Sequence, residues 1–94
     1  MTNTSLPKQV KVSDSVLFQE ISGEGVLLNM ESEQYFGLDE IGARFWQLLS
    51  ENGDTSAALE TIRAEYDVER ETLNRDLANL IDELKNEKLL FVEE

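Results

Sequence analysis

Hydroxyls and carboxylates are the main side chains that could act in catalysis, because the 94-residue chain contains no cysteine and no histidine. Ser13, Ser15 and Ser22 therefore lack a histidine that could activate them as nucleophiles, and no Gly-x-Ser-x-Gly elbow surrounds them. Spacing alone allows carboxylate pairs, but so short a chain leaves little room for the pocket that such a pair needs. No loop alternates oxygen ligands as calcium requires, and zinc lacks its usual ligands. We predict no catalytic residue, no metal site and no cofactor.

The remaining chemistry is recognition through the backbone of one strand. Residues 34–38 predict a short strand that runs into a helix, with Asp39 as the helix N-cap. The strand carries aromatic and apolar side chains and Gly37, but no lysine or proline of the kind that protects an exposed edge. At the edge of a sheet, such a strand could accept another strand. This pattern favours a peptide-binding module over an enzyme.

The order of elements predicts an α+β fold in a single domain over residues 1–94. Three short strands joined by tight turns form an antiparallel meander, and three helices follow it. The predicted bounds are residues 16–21, 26–30 and 34–38 for the strands, and 40–51, 55–65 and 68–88 for the helices. Residues 89–92 are a candidate final strand. Residues 1–12 are predicted as a flexible arm, of which residues 1–9 could instead lead into a first strand.

The third helix carries an apolar stripe with two different flanks. The stripe, predicted to face the core, is formed by Leu73, Leu77, Leu80 and Leu84. One flank is partly apolar and either lines a groove or broadens the core contact; it consists of Asn74, Ala78, Ile81 and Lys85. The other flank is mostly acidic and consists of Thr72, Asp76, Glu83 and Glu87.

The charge of the chain limits its partners. The formal net charge of −12, from 20 acidic and 8 basic residues, repels the phosphates of nucleic acids and of anionic membranes. A basic or neutral peptide would instead be attracted. No apolar run reaches the length of a transmembrane helix, and residues 1–9 lack the apolar segment of a signal peptide. We expect a cytoplasmic protein that binds neither nucleic acid nor membrane.

An ordered set of short segments gives the chain a resemblance to a known family over about residues 17–92. The segments are Val26-Leu27-Leu28-Asn29, Tyr35-Phe36-Gly37-Leu38-Asp39, Ile41-Gly42, Phe45-Trp46, Tyr66-Asp67-Val68, Asp76-Leu77, Leu80, Leu84 and Leu89-Leu90. With these spacings the chain resembles the PqqD-like proteins, which are the precursor peptide recognition elements of ribosomally synthesised, post-translationally modified peptides (RiPPs). The resemblance implies a winged-helix type of fold, with a three-stranded sheet on three helices.

The resemblance also implies a function and a site. Proteins of this family bind the leader segment of a precursor peptide without catalysis and present it to a modifying or leader-cleaving enzyme. The leader adds a strand to the third strand and lies against the third helix. Carried onto this sequence, the peptide-binding residues are Gln34, Tyr35, Phe36, Gly37 and Leu38 on the strand, with Leu73, Asn74, Leu77, Ala78, Ile81 and Lys85 on the helix. Side chains alternate along a strand, so Tyr35 and Gly37 lie on one face of it and Gln34, Phe36 and Leu38 lie on the other. The sequence does not decide which of these two sets faces the groove.

Several partners are consistent with these observations. A free-standing acidic chain of this size most resembles the recognition proteins of lasso-peptide systems, whose partner is a separate leader peptidase. A PqqD-type chaperone for a radical-SAM enzyme is the alternative within the family. A winged-helix DNA-binding regulator is the alternative from another class, although Glu69, Glu71 and Asp76 on its recognition helix would repel DNA. A regulatory adaptor for a folded protein would use the same edge strand.

Overall fold

The computed structural model describes residues 6–93 and confirms the α+β fold class. It contains five strands and three helices in these residues. Their bounds are β1 (Gln9–Val12), β2 (Val16–Ile21), β3 (Glu24–Asn29), β4 (Gln34–Leu38), α1 (Glu40–Asn52), α2 (Thr55–Glu65), α3 (Arg70–Asn86) and β5 (Leu90–Glu93). No helix in the described part of the chain combines the length and hydropathy needed to cross a membrane.

The predicted meander is a three-stranded antiparallel sheet with β3 at its centre and β4 at one edge. The register pairs Leu27 of β3 with both Phe18 of β2 and Phe36 of β4. Leu27 is fully buried against the helices. In the turn that leads to β4, the buried side chain of Asn29 accepts hydrogen bonds from the backbone amides of Glu31 and Ser32. These bonds hold the β3–β4 turn and so fix the position of β4.

A second sheet pairs the two ends of the chain. β1 and β5 are antiparallel, with Val10 opposite Val92, which confirms the predicted final strand. The prediction of a flexible arm over residues 1–12 is wrong for Gln9–Val12, because β5 supplies a partner for its backbone groups. Residues 1–5 of that predicted arm lie outside the described residues.

Both ends of α1 are formed by the residues that the sequence indicates. The Asp39 side chain accepts a hydrogen bond of 2.7 Å from the Gly42 amide and caps the first turn. Gly53 ends the helix in the left-handed region at φ 73°, and its amide donates to the Leu49 carbonyl over 2.8 Å. A Cβ atom at position 53 would lie 2.0 Å from the carbonyl oxygen of Val10. Glycine is therefore required both for the cap and for close packing against β1.

The core face of α3 differs from the predicted stripe by one position. Ile81 is only 2% exposed and takes a core place beside three of the predicted leucines, Leu73, Leu77 and Leu84. Leu80 is only partly buried. The helix also begins two residues later than predicted, because the backbone of Glu69 is still extended. Glu69 is the N-cap residue, but its side chain makes no capping hydrogen bond. Because Ile81 lies in the core in place of Leu80, the side of α3 that carries Leu80 stays open.

Candidate functional site

An apolar cleft lies between β4, the start of α1 and α3, with a volume of about 370 Å³. Its apolar lining comes from all three elements and from the turn before α3, and consists of Phe36, Leu38, Ile41, Val68, Leu73, Leu77 and Leu80. Its polar and backbone lining consists of Gly37, Asp39, Gly42, Asp76, Asn79 and Glu83. The cleft thus offers an apolar floor beneath an acidic rim.

The backbone of β4 borders this cleft with an open edge. The Met30 amide donates to the Ser15 carbonyl over 2.8 Å, so these residues continue the β2–β3 ladder as a hydrogen-bonded pair. Because such pairs alternate along antiparallel strands, successive residues of β3 face β2 and β4 in turn. The β3–β4 register then points the backbone groups of Phe36 toward β3 and those of Tyr35 and Gly37 toward the open edge. In residues 6–93, no strand pairs with that edge.

The side chains of β4 divide between two faces. Phe36 and Leu38 point toward the helices and line the cleft, and Leu38 is only 5% exposed. Tyr35, on the opposite face, is 73% exposed. A Cβ atom at Gly37 would meet no atom within 4 Å, so nothing inside the described structure demands glycine there. Of the two sets that alternation separates, the set that contains Phe36 points its side chains into the cleft.

The flank of α3 beside β4 is the acidic one. Asp76, Leu80 and Glu83, which we call the open flank, line the cleft together with Leu73 and Leu77. Among the described residues, neither Asp76 nor Glu83 takes part in a salt bridge. The open flank therefore presents one apolar side chain between two carboxylates that no cation neutralises.

The flank predicted to lie beside β4 faces other parts of the chain instead, and of its residues only Ile81 is buried. Ala78, Ile81 and Lys85, which we call the covered flank, lie next to Leu6, Pro7 and Val92. Asn74 lies near Leu6 and Lys8. The expectation that Asn74, Ala78, Ile81 and Lys85 face the β4 strand is therefore wrong. The physical reason is the β1–β5 sheet, which brings both chain ends over this side of α3.

Five of the predicted site residues come together in the cleft: Phe36, Gly37, Leu38, Leu73 and Leu77. Gln34 and Tyr35 lie on the same strand but do not line the cleft. The prediction missed Ile41 and Val68, although both fall within segments that carry the family resemblance. It also missed Leu80, because that leucine fits the predicted core stripe as well as Ile81 does.

Two hydrogen-bonded pairs join α1 to the end of α2 and to the residue that follows it. Arg44 on α1 donates two bonds, of 2.8 and 2.6 Å, to Glu65 at the end of α2, and this pairing lowers the pKa of Glu65. The hydroxyl of Tyr66 donates to Glu40 over 3.0 Å, which raises the pKa of Tyr66. Both pairs tie the α2–α3 turn to α1. That turn carries Val68, part of the cleft lining.

Comparison with known proteins agrees with this architecture. The model of a family described as coenzyme PQQ synthesis protein D (PqqD) matches residues 24–90. The solved structure of TbiB1 in complex with the TbiA(beta) leader peptide is similar at 42% sequence identity and a TM-score of 0.78, covering 85% of this chain and 93% of that chain. No curated protein matches the chain.

A second solved structure, lasso peptide synthetase B1 complexed with the leader peptide, has a TM-score of 0.76 at 24% identity. The match covers 88% of this chain and 98% of that chain, and at this identity it supports the fold alone. The family model extends over most of the domain, including β4, α1 and all of α3, and the similarity to TbiB1 covers 85% of the chain. The chain therefore belongs to the PqqD family.

Proposed function

We propose that the chain binds the leader segment of a ribosomally synthesised precursor peptide, without catalysis, by strand addition to β4. One observation carries the proposal: the open backbone groups of Tyr35 and Gly37 lie directly beside the apolar cleft. An extended peptide can use both features at once, because its backbone pairs with the edge and alternate side chains enter the cleft. The similarity to TbiB1, which was solved with a leader peptide, supports this proposal.

The backbone and the cleft contribute differently to binding. Hydrogen bonds to Tyr35 and Gly37 do not depend on the leader sequence, so they contribute affinity and alignment. Specificity comes from the side chains that share the cleft face with Phe36. Burial of one large apolar leader side chain against Leu77 and Leu80 stabilises the complex by roughly 1.5–3 kcal/mol before ordering costs. The ordering of a flexible leader offsets part of that gain.

The same proposal includes an enzyme that receives the bound leader. The cleft combines aliphatic and aromatic side chains with three carboxylates, Asp39, Asp76 and Glu83, and this mixed surface suits an extended peptide with both apolar and basic side chains. We favour a leader-cleaving peptidase of a lasso-peptide system as the receiving enzyme, since a free-standing acidic chain of this size most resembles the recognition proteins of those systems. A radical-SAM enzyme served by a PqqD-type chaperone is the second candidate, and the family match supports it.

A pair of substitutions at one position tests strand addition. Gly37→Pro removes an amide that faces the open edge, so we expect loss of leader binding by at least tenfold, equivalent to about 1.4 kcal/mol. Gly37→Ala is the matched control: it keeps the amide and adds a methyl group in open space, and we expect a fold and affinity close to wild type. Calorimetric titration with a synthetic leader peptide, such as the TbiA(beta) leader seen with TbiB1, measures both variants.

Circular dichroism shows whether each variant is folded, and proline is tolerated at a strand edge where the amide faces outward. A folded Gly37→Pro protein that binds the leader as tightly as wild type would contradict strand addition at β4. Retained binding by Gly37→Pro together with loss in a cleft variant would instead locate the peptide in the cleft without backbone pairing.

A further inference from the structure

A second concavity, of about 610 Å³, lies between α2, α3 and the residues that precede β1. Three of the eight basic residues of the chain line it: Lys8, Arg70 and Arg75. Leu6 and Leu59 add apolar surface. We call this concavity the basic groove. In a chain with a formal net charge of −12, it is a local concentration of positive charge.

Most of the positive charge in the basic groove is not neutralised by the chain itself. Within residues 6–93, Lys8 and Arg75 take part in no salt bridge, and both are exposed. Arg70 approaches Glu60 only to 3.6 Å with 65% of its side chain exposed, and so open a pair contributes little. Glu71 is the one carboxylate in the described lining. The groove therefore suits an extended peptide that carries carboxylates and some apolar side chains.

The start of α3 separates the basic groove from the apolar cleft. Val68 lines the cleft, and Arg70, two residues later, lines the groove. One turn further on, Leu73 lines the cleft and the adjacent Asn74 lines the groove. Residues two positions apart lie within about 7 Å of each other. A peptide that leaves the cleft past Val68 therefore reaches the groove within two or three of its own residues.

We propose that the basic groove binds an acidic segment of the same precursor peptide whose leader occupies the cleft. This inference rests on the proposed function. The peptide would cross the start of α3, with one part between β4 and α3 and an acidic part against Lys8, Arg70 and Arg75. Elsewhere the net charge of the chain repels carboxylates, so the groove would hold this segment at one position.

The groove would also fix the direction of the bound leader. Backbone hydrogen bonds to β4 can form with a parallel or an antiparallel strand, so pairing alone does not select one direction. The basic groove adjoins the cleft at its Val68 end. An acidic segment at only one end of the leader would therefore place that end at α3 and orient the whole peptide.

The test measures whether an acidic tail tightens leader binding. The probes are synthetic TbiA(beta) leader peptides that carry a tail at one terminus or at the other. Each tail is a glycine spacer followed by either glutamates or, as the uncharged control, the same number of serines. Calorimetric titration gives the affinity of every peptide at low and at high salt.

The variants reverse one charge inside or outside the groove. Arg75→Glu reverses a charge in the groove, and Arg75→Gln only removes it. Lys11→Glu is the matched control, because it makes the same change in net charge at an exposed position of β1 that does not line the groove. Serine-tailed peptides should bind all three variants within about twofold of wild type, since neither position lines the cleft.

We expect the glutamate tail to tighten binding to wild type by about fivefold or more over the serine tail, at one terminus only. Since the net charge of the chain opposes this gain, the gain requires cations near the bound tail. Arg75→Glu should abolish it, Arg75→Gln should reduce it, and Lys11→Glu should retain it. High salt should diminish it, because salt screens exposed charges.

Equal affinity of glutamate-tailed and serine-tailed peptides at both termini would overturn the inference and leave the proposed function intact. A gain that Arg75→Glu retains would place the acidic segment outside the groove. Failure of wild type to bind any of these peptides would contradict the proposed function, and the inference would fall with it. Dimerisation of wild type in sedimentation velocity, abolished by Arg75→Glu, would assign the groove to a second copy. Displacement of the glutamate tail by an equimolar single-stranded oligonucleotide would assign it to nucleic acid.

Discussion

The two flanks of α3 carry similar apolar side chains but meet opposite surroundings. On the covered flank, Ile81 is 2% exposed and lies beside Leu6, Pro7 and Val92. On the open flank, the adjacent Leu80 borders a cleft that no described part of the chain fills. Neighbouring residues on one helix thus differ in their surroundings, with Ile81 in the core and Leu80 at the cleft. The difference arises from the sheets: β1 and β5 close one side, whereas β4 leaves the other open.

Aspartate at position 81 is the substitution expected to have the largest effect. Ile81→Asp places a charge in the core, and we expect the free energy of unfolding to fall by about 4 kcal/mol or more, enough to unfold much of a domain of this size. Thermal or urea unfolding followed by circular dichroism measures this loss. Asp82→Ala, at the exposed neighbouring position, is the control and should change the stability by less than about 0.5 kcal/mol. A well-folded Ile81→Asp protein would contradict the assignment of the covered flank.

The same change one residue earlier should separate binding from folding. Leu80→Asp places its charge at the cleft, where solvent reaches it, so we expect a stability loss of only about 1 kcal/mol. Leader binding should weaken by roughly 2 kcal/mol or more, because the charge meets an apolar leader side chain and adds to an acidic rim. Calorimetric titration of the folded variant measures this. Unchanged affinity would place the leader outside the cleft.

The hydrogen bond between Tyr66 and Glu40 predicts a smaller, pH-dependent effect on stability. The hydrogen bond from Tyr66 to Glu40 raises the pKa of Tyr66 in the folded protein. Its contribution to stability is therefore complete below the unfolded pKa of about 10 and is lost as the pH rises through the folded value. We expect Tyr66→Phe to melt slightly below wild type at neutral pH. The difference in melting temperature should fade above about pH 10.

A constant difference between wild type and Tyr66→Phe across that pH range would show that the hydroxyl acts through something other than this hydrogen bond. Leader affinity of the variant should stay within about twofold of wild type, since Tyr66 does not line the cleft.

The smallest expected effect is on nucleic acid. The open flank turns Asp76 and Glu83 outward, and Asp82 is exposed as well, so α3 cannot approach DNA phosphates without repulsion. We expect no retained complex with duplex DNA in a mobility-shift titration at physiological salt. A stable complex there would mean that α3 acts as a recognition helix and would reverse the ranking of functions.

Features that depend on neighbours in the chain were predictable from the sequence alone. Asp39 caps α1 through an amide three residues away, and Gly53 ends that helix through a carbonyl four residues away. The hairpins between β2, β3 and β4 need only short turns. The edge character of β4 also followed, because a meander leaves its last strand unpaired on one side. The family resemblance then indicated that this edge binds a peptide.

The side of α3 that lies beside β4 depended on contacts between distant parts of the chain. Leu80 and Ile81 both fit a helical apolar stripe, so periodicity could not choose between them. The pairing of β1 with β5, in which Val10 lies opposite Val92, decides which of the two is buried. It places Val92 beside Ile81 on the covered flank. No local propensity indicates that pairing, because each strand is only four residues long. The sequence by itself indicated the meander, the three helices, the final strand and the strand proposed to bind the peptide, whereas the tertiary structure decided which flank of α3 lies beside that strand.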